Sequence, residues 1–249
     1  MIISEAKILI TGGGRGIGRK LVESLLLDNI SIGILEIDKE LINKLNEDFP
    51  SVKTWHCDVS KDESIEKAFL NMEKDQFEPN ILINNAGIIY NEPLINITKK
   101  DNRLHSRETW KNVISVNLNS VFYITTRFSD LLTKKRKKGI VISISSISSQ
   151  GNAGQAAYSV SKAGINILMK TASKELGPLG IRFISICPGF LNTDSTNSAL
   201  SEYAIRTIKA KIPLRKLGEI ESIYKAILAV IECDYMTGNI INIDGGLTI

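Results

Sequence analysis

A tyrosine and a lysine four positions apart are the residues of this sequence best suited to move a proton. Tyr158 and Lys162 lie in a helical pattern, and a spacing of i and i+4 places them on one face of a helix. A phenol ordinarily titrates near pH ~10, and a nearby ammonium lowers that value by roughly 1–3 units. The pair is therefore a candidate acid and base near neutral pH. A helix with one packed tyrosine and one solvated lysine would show the same spacing, so other parts of the chain must decide.

Hydroxyl groups precede this helix at the end of an apolar run. Residues 140–144 are typical of a buried strand, and Ser145 and Ser146 follow them directly. The strand thus delivers hydroxyls to the place where the tyrosine's helix begins. A hydroxyl there can polarise a carbonyl group and stabilise the charge that develops on its oxygen.

Glycines near the N-terminus join a predicted strand to a predicted helix. The pattern is Thr-Gly-x-x-x-Gly-x-Gly, with Gly12, Gly16 and Gly18. Such glycines allow a tight turn, backbone approach to a phosphate and close packing of helix on strand. Because the helix N-terminus attracts anions, this loop is a candidate pyrophosphate site. No Gly-Lys-Ser/Thr follows it, which excludes a Walker-type loop.

Polar or small residues also follow the other predicted strands. Glu36 ends the second strand, where a carboxylate can bond an adenosine ribose and repel a 2′-phosphate. This favours NAD over NADP, although Arg15 could pair with that phosphate. Asp58 can accept a hydrogen bond from an adenine amine, and the segment 84–87 is small enough to pass close to a ribose. The segment 188–193 would bring backbone and a hydroxyl to the reacting end of a cofactor.

The elements that must position these residues alternate between strands and helices. Strands are predicted at 7–11, 30–36, 52–57, 80–84, 140–145, 181–186 and 239–243. Helices are predicted after the glycine loop and at 39–48, 61–76, 107–134, 155–177 and 219–232, with 187–215 as a loose segment. This order predicts a single-domain, Rossmann-type α/β fold, with a doubly wound parallel sheet of about seven strands and helices on both faces. Ligands of such sheets bind beyond the carboxyl ends of the strands.

Composition and charge exclude several classes of protein. The 249 residues are 43% hydrophobic and 23% charged, as in an ordinary globular domain, and we expect 1–249 to be one domain. Dinucleotide binding is expected mainly in 1–150, and catalytic and substrate loops mainly in 140–215. A net charge of +4 is far from a nucleic-acid footprint.

The same inspection predicts a cytoplasmic protein that neither crosses a membrane nor needs a metal. No apolar run reaches membrane-spanning length, and the first residues lack the pattern of a signal peptide. The three cysteines, Cys57, Cys187 and Cys233, are scattered, which argues against a disulfide framework or a zinc site.

Together the motifs resemble those of the classical short-chain dehydrogenase/reductase family, in family order and over nearly the whole chain. In chain order they are Thr11-Gly12-x-x-x-Gly16-x-Gly18, Asp58-Val59, Asn84-Asn85-Ala86-Gly87, Asn117, the strand-end serine, Tyr158-x-x-x-Lys162, Pro188-Gly189-x-x-x-Thr193, Tyr235-Met236-Thr237-Gly238 and Asp244-Gly245-Gly246.

The resemblance implies hydride transfer between a nicotinamide and a carbonyl or secondary alcohol. Tyr158 would be the acid or base, Lys162 would lower its pKa and hold the nicotinamide ribose, and Asn117 would hold a water that links Lys162 to solvent. The implied cofactor-binding residues are Gly12, Arg15, Gly16, Ile17, Gly18, Glu36, Asp58, Val59, Asn85, Ala86, Gly87, Tyr158, Lys162, Pro188, Gly189 and Thr193.

Two adjacent serines compete for the catalytic role. The family usually places this serine thirteen residues before the tyrosine, which gives Ser145. Alignment along the strand gives Ser146 and a loop one residue short. Adjacent strand residues point to opposite faces, so only one hydroxyl can reach the substrate. We favour Ser146, because strand register is harder to shift than loop length.

The sequence leaves the substrate open. Residues 151–159 look most like those of 3-oxoacyl-(acyl-carrier-protein) reductases. We therefore expect the substrate to be a small-molecule carbonyl or alcohol, either free or bound to an acyl carrier. The Thr-Arg-Asp often found after the Asn-Asn-Ala-Gly turn is replaced by Ile89-Tyr90-Asn91, so an NAD-dependent sugar, polyol or other secondary-alcohol dehydrogenase is the alternative. A non-catalytic dinucleotide-binding regulatory protein is a remote alternative, because the catalytic set is complete.

Two further expectations concern the surface. The segment from Asn91 to Arg107 is longer than the usual connection in the family, and its basic residues fit a solvated loop or a substrate mouth for an acidic group or carrier. The resemblance also implies a homotetramer or homodimer that packs through the helices near 107–134 and 155–177.

Overall fold

A continuous series of strands and helices makes up the chain. The computed structural model describes residues 5–193, 196, 198 and 200–248. Its strands are β1 (Lys7–Thr11), β2 (Ser31–Glu36), β3 (Lys53–His56), β4 (Ile81–Asn84), β5 (Gly139–Ile144), β6 (Ile181–Pro188) and β7 (Ile240–Ile243). Its helices are α1 (Gly16–Leu27), α2 (Lys39–Asp48), α3 (Asp62–Lys74), α4 (Arg107–Ile114), α5 (Ser120–Lys134), α6 (Ala156–Leu176), α7 (Glu202–Lys211) and α8 (Ile220–Glu232). None of these described helices combines the length and the apolar character that a membrane crossing requires.

The strands form one seven-stranded parallel sheet in the order β3-β2-β1-β4-β5-β6-β7. In the middle of the sheet, Ile83 of β4 lies beside Ile142 of β5, which lies beside Ile184 of β6. The strand order reverses between β1 and β4, and the crevice beyond their carboxyl ends is where such sheets bind ligands. The predicted doubly wound fold is confirmed.

Each central strand sends alternate side chains into two separate cores. Ile8 and Ile10 of β1 enter the core shared with α1 and α8, whereas Leu9 enters the core shared with α3, α5 and α6. In β5, Ile140 and Ile142 take the first side and Val141 takes the second. Because both faces are buried, the strands are almost uninterrupted apolar runs, and polar side chains are confined mostly to the strand ends.

The prediction of a loose segment at 187–215 was wrong in part, because these residues include helix α7. Ser201 caps this helix by accepting a hydrogen bond from the amide of Ala204, 3.2 Å away. No α7 residue is fully buried, and Ile205 and Ile208 only border a small core. Ile205, Ile208 and Ile212 nevertheless recur at helical spacing on the side that faces this core. Residues 194, 195, 197 and 199 of the predicted substrate loop lie outside the described residues, as do 1–4 and 249.

Two other connections differ in detail from the prediction. The single helix predicted from 107 to 134 is interrupted by a π-helical turn (Ser115–Asn119) between α4 and α5. The long loop from 91 to 106 folds into a short hairpin, in which Ile95 pairs antiparallel with Leu104 and the amide of Asn96 donates to the carbonyl of Arg103, 2.7 Å away. We call residues 91–106 the rim hairpin.

Arg182 in β6 holds the C-terminal end of α8. Its guanidinium donates to the carbonyl oxygens of Val230 (2.8 Å), Ile231 (3.1 Å), Cys233 (2.9 Å) and Met236 (3.2 Å). The last carbonyls of a helix lack intrahelical partners, so this cation satisfies them and complements the negative end of the helix dipole. Burial lowers the pKa of Arg182, but a guanidinium stays charged at neutral pH.

Replacing Arg182 should therefore destabilise the fold. We expect Arg182→Met to lower the free energy of unfolding by about 2–4 kcal/mol, because it leaves several carbonyls without a donor. Arg182→Lys should cost about half as much, since one ammonium cannot reach them all. Urea unfolding followed by circular dichroism measures both, with Arg206→Met on exposed α7 as the control. A Met variant as stable as the wild type would contradict this role.

Candidate active site

Tyr158 and Lys162 lie at the carboxyl end of β5, on the first turns of α6. The ammonium of Lys162 donates to the carbonyl oxygen of Ile144, 2.8 Å away, and lies 5.6 Å from the centroid of the Tyr158 ring. Only 8% of Tyr158 and 5% of Lys162 is exposed. The pair predicted from the i, i+4 spacing is therefore a buried unit joined to the end of a strand.

The two adjacent serines point to different partners. The hydroxyl of Ser145 is buried and donates to the main-chain carbonyl of Lys162, 3.0 Å away. The hydroxyl of Ser146 is hydrogen-bonded to Tyr158 and accepts from the amide of Ser148 at 3.1 Å. Ser145 thus braces α6 against β5, while Ser146 stands beside the phenol. This arrangement supports Ser146 as the hydroxyl that acts with Tyr158.

Burial dominates the titration of both groups. It raises the pKa of Tyr158 above its ordinary value, and the hydrogen bond with Ser146 only partly opposes that effect. Burial also lowers the pKa of Lys162 to about 8. The expectation that Lys162 lowers the pKa of Tyr158 is not met in this structure, because the ammonium contacts Ile144 instead. At neutral pH Tyr158 therefore keeps its proton, and Lys162 remains mostly charged.

Asn117 lies within the π-helical turn and is fully buried. Its side-chain oxygen accepts from the amide of Ile88 and its side-chain nitrogen donates to the carbonyl of the same residue, both at 2.8 Å. The nitrogen also donates to Ser161 at 3.3 Å, and Ser161 donates to the carbonyl of Tyr158 at 2.7 Å. Asn117 therefore couples the loop after β4 to the start of α6.

Gly87 brings that loop directly over Asn117 and Lys162. A side chain at this position would lie 3.3 Å from the amide oxygen of Asn117 and 3.6 Å from the ammonium of Lys162. The absence of a side chain keeps the space in front of both groups open. Three of the predicted residues, from the loop after β4, the π-helical turn and α6, thus meet at one point.

The glycine loop has the geometry of a phosphate cradle. Gly12 adopts a left-handed φ of +68°, and a side chain there would meet the backbone of Ala86 at 3.0 Å. A side chain on Gly18 would come within 2.0 Å of the carbonyl of Gly12. By contrast, the space beside Gly16 is open within 4 Å. No described side chain caps the first amides of α1, so these donors fit the pyrophosphate of a dinucleotide.

Glu36 lies against this loop at the end of β2. Its carboxylate is buried and accepts from the amides of Gly14 (3.0 Å), Ile37 (2.9 Å) and Asp38 (3.3 Å). The negative charge is thereby fixed where strand two meets the glycine loop. Arg15, on the same loop, is exposed.

Hydrogen bonds tie the ends of β1 and β4 together. The hydroxyl of Thr11 accepts from the amides of Asn85 and Ala86, each 3.0 Å away. The side chain of Asn85 donates to the carbonyls of Gly12 (2.8 Å) and Thr11 (3.1 Å). Ile17 packs against the core beneath. Asn85 therefore shapes the cradle from behind.

The remaining candidates on the adenine side bond within their own loop. Asp58 follows β3 and accepts from the hydroxyl of Ser60 at 2.6 Å and from Lys61 at 3.2 Å. Burial raises the pKa of Asp58, but these donors outweigh it and hold the pKa below its usual value. Val59 beside it is buried.

On the other side of the site, β6 ends at Pro188. The amide of Gly189 donates to the carbonyl of Ile243 at 2.9 Å, and a side chain on Gly189 would meet the backbone of Asp244 at 2.7 Å. Thr193 lies further along, where its hydroxyl is 3.0 Å from that of Thr196. Among the described residues, the side chains of Asp58 and Thr193 bond to their own loops and not to Tyr158 or Lys162.

Comparison with known proteins decides the family. A family model described as short chain dehydrogenase matches residues 6–204. The chain is 36% identical over 247 residues to a 3-oxoacyl-(acyl-carrier-protein) reductase of Buchnera aphidicola, with 96% of each sequence covered. The chain belongs to the short-chain dehydrogenase family. It is accordingly an NAD(P)-dependent oxidoreductase.

Other members of the short-chain dehydrogenase family extend this similarity. A (3R)-3-hydroxyacyl-CoA dehydrogenase of Rattus norvegicus is 32% identical over 260 residues, which cover 98% of this chain and 97% of the relative. Among solved structures, a 4-hydroxyisoleucine dehydrogenase complexed with NADH superimposes with a TM-score of 0.88 at 27% identity, covering 96% of this chain and 98% of that one.

Three residues that shape this short-chain dehydrogenase site were given no role from the sequence. Ser161 links Asn117 to Tyr158, Thr11 joins two strand ends, and Gln155 bonds to the loop after Ser146. Thr11 ended a predicted strand beside the glycines, which was a usable signal. Ser161 carried none, because a serine on a helix is ordinarily a solvated residue.

The two serines should separate cleanly in kinetic and stability measurements. We expect Ser146→Ala to lower turnover by about 100-fold or more, because it removes the hydroxyl beside Tyr158. Ser145→Ala should keep near-wild-type turnover and lower the free energy of unfolding by about 1–2 kcal/mol, because it removes a buried hydrogen bond. Steady-state kinetics and thermal unfolding of both variants check this. The reverse pattern would show that the assignment is off by one residue.

Proposed function

We propose that this protein transfers hydride between NAD(H) and a carbonyl or secondary-alcohol group, with Tyr158 as the acid in reduction and the base in oxidation. The observation that carries the proposal is the cluster of half-buried Ser146 with buried Tyr158 and Lys162 beyond the end of β5, two strands from β1 and its glycine cradle. One domain, 1–249, would hold the dinucleotide mainly through 1–150 and the substrate through 140–215.

The residues of this chain would handle the proton and the developing charge. When bound, the nicotinamide supplies or accepts the hydride. Tyr158 holds its proton at neutral pH, because burial raises its pKa, and gives that proton to the carbonyl oxygen in reduction. The hydroxyl of Ser146 polarises the same oxygen. In oxidation Tyr158 would first release its own proton toward solvent, and the resulting phenolate, stabilised by the ammonium of Lys162, would accept the proton of the alcohol.

Lys162 and Asn117 would support Tyr158 rather than react. The ammonium of Lys162, at the mouth formed by Gly87, is suited to bind the hydroxyls of the nicotinamide ribose and to stabilise a phenolate. Asn117 would hold a water that links Lys162 to solvent, and the π-helical turn around it is a local irregularity of the kind found at functional sites. The other cofactor contacts would come from the glycine loop, Asp58 and the 188–193 segment.

The buried carboxylate of Glu36 supports NAD as the cofactor. It lies where the adenosine ribose of a dinucleotide would reach the end of β2, so it would accept from ribose hydroxyls and repel a 2′-phosphate. The solved relative complexed with NADH is consistent with this choice. Arg15 is the residue that would favour NADP.

For the substrate, a 3-oxoacyl or 3-hydroxyacyl group is favoured by the names of the full-length relatives. An acyl-carrier-bound form of that group is one version of this proposal. The alternative is an NAD-linked sugar, polyol or other secondary-alcohol dehydrogenase, which Glu36 and the structural likeness to 4-hydroxyisoleucine dehydrogenase favour. We further propose a cytoplasmic homotetramer or homodimer that packs through α4, α5 and α6.

A cofactor absorbance assay tests the proposed reaction. With 3-oxoacyl thioesters and a panel of ketones and secondary alcohols, we expect the wild type to consume or produce NADH. Tyr158→Phe should lower turnover by about 100- to 10,000-fold, because the ring remains but the acid is lost. Tyr123→Phe on α5 is the matched control and should keep full activity. Unchanged turnover in the Tyr158 variant would exclude the proposed mechanism.

Cofactor choice can be tested at Glu36. We expect Glu36→Gln to shift the ratio of kcat/KM for NADP over NAD upward by about 10-fold or more, because it removes the charge that opposes the 2′-phosphate. Asp38→Asn, which removes a charge two residues away and can still cap α2, should leave the ratio unchanged. A wild type that already prefers NADP would overturn the assignment of Glu36.

A further inference from the structure

The base of the rim hairpin is bonded to the loop that lies between the catalytic serine and the catalytic tyrosine. The side chain of Gln155 donates to the side-chain oxygen of Asn91, 2.7 Å away. Beside it, the amide of Glu92 donates to the carbonyl of Gly154, also at 2.7 Å, as in a pair of parallel strands. Two independent bonds thus join segments more than 60 residues apart in sequence.

These contacts continue inward to Ser146. The side-chain oxygen of Gln155 accepts from the hydroxyl of Ser148 at 2.9 Å and from the side chain of Asn152 at 3.0 Å. The amide of Ser148 in turn donates to the hydroxyl of Ser146 at 3.1 Å. A hydrogen-bonded chain therefore runs from Asn91 through Gln155 and Ser148 to the hydroxyl that faces Tyr158.

The loop at the centre of this chain needs external support. Gly151 and Gly154 adopt left-handed φ values of +104° and +77°, and neither has another group within 4 Å of where a side chain would stand. Glycines in such open positions leave the backbone free to move, so side-chain bonds must fix its course. Gln155, at the end of the loop, makes three of them.

The rim hairpin is held rigidly enough to give that support. The carboxylate of Glu92 accepts from the amide of Ser106 at 2.9 Å and lies 3.2 Å from the ring nitrogen of His105. Ser106 also caps α4 by accepting from the amide of Thr109 at 3.2 Å. Both ends of the hairpin are therefore clamped together and anchored to a helix that packs on α6.

We propose that the rim hairpin positions the catalytic loop, with Asn91 and Gln155 as positioning residues that fix the hydroxyl of Ser146 relative to Tyr158. The inference rests on the proposed function in one respect, namely that Ser146 polarises the substrate carbonyl. It predicts that the hairpin sets the turnover of the enzyme without touching the cofactor.

Variants at Asn91 test the link, because this side chain lies on the hairpin and contacts the catalytic loop through Gln155. We expect Asn91→Ala to lower kcat by about 10-fold while the dissociation constant of NADH, from its fluorescence, stays within about twofold. Asn91→Asp keeps the acceptor oxygen and should restore near-wild-type kcat. Asn96→Ala, which alters the hairpin away from the link, is the matched control.

A double substitution sharpens the test. Asn91→Asp with Gln155→Glu places two carboxylates where one hydrogen bond stood, so its loss of kcat should exceed the product of the two single losses. Wild-type kcat in Asn91→Ala would overturn the proposal. The proposal would also fail if Asn91→Ala lowered NADH affinity and thermal stability along with kcat, because that result would show a general structural role.

Hydrogen exchange gives a readout that does not depend on activity. In Asn91→Ala we expect the amides of residues 151–155 to exchange about fivefold faster, with wild-type rates in Asn91→Asp. Unchanged exchange in Asn91→Ala would refute the link even if kcat fell. If the wild type turned over no substrate at all, the proposed function would fail, while the exchange measurement would still decide whether the hairpin orders the loop.

Discussion

Burial of the parallel sheet on both faces is the constraint on which the rest of this structure depends. Each central strand feeds one set of side chains into the core under α1 and α8 and the other set into the core under α3, α5 and α6. Polar side chains lie mostly where the strands end; there the side-chain nitrogen of Asn84 donates to Ser143 at 3.2 Å, although its side-chain oxygen has no partner among the described residues. The chemistry is therefore concentrated along one edge by the packing of the core.

The same burial sets the acid–base character of the site. Because Tyr158 is enclosed, its pKa is raised and it keeps its proton at neutral pH, whereas enclosure lowers the pKa of Lys162 to about 8. Burial raises one pKa and lowers the other for the same reason. In both cases it disfavours the charged form, which is the phenolate of Tyr158 and the ammonium of Lys162. The carbonyl of Ile144, which accepts from Lys162, and the hydroxyl of Ser146, which bonds to Tyr158, partly offset the cost of burying these two polar groups.

The fold and the Tyr158–Lys162 pair could be predicted from sequence because both depend on short-range periodicity. Strands buried on both faces show continuous apolar runs, and two residues one helical turn apart must share a face. Helix α7 was missed although Ile205, Ile208 and Ile212 recur at helical spacing, because the helix is short and buries none of its own residues fully. The π-helical turn could not be predicted from local sequence either. Its residue Asn117 is bonded to Ile88, a partner 29 residues earlier in the chain.

The competing serines show where local information ends. Counting residues and aligning the strand gave different answers, because one uses loop length and the other uses strand register. In the structure the two serines differ in their hydrogen-bond partners. Ser145 bonds to the carbonyl of Lys162, whereas Ser146 lies in a chain of hydrogen bonds that reaches Asn91. A two-stranded hairpin has little stability of its own, so the bonds at its base hold the hairpin as much as they hold the catalytic loop. Under our proposal, changes in the hairpin would therefore be transmitted to Ser146 through the bonds at Asn91 and Gln155.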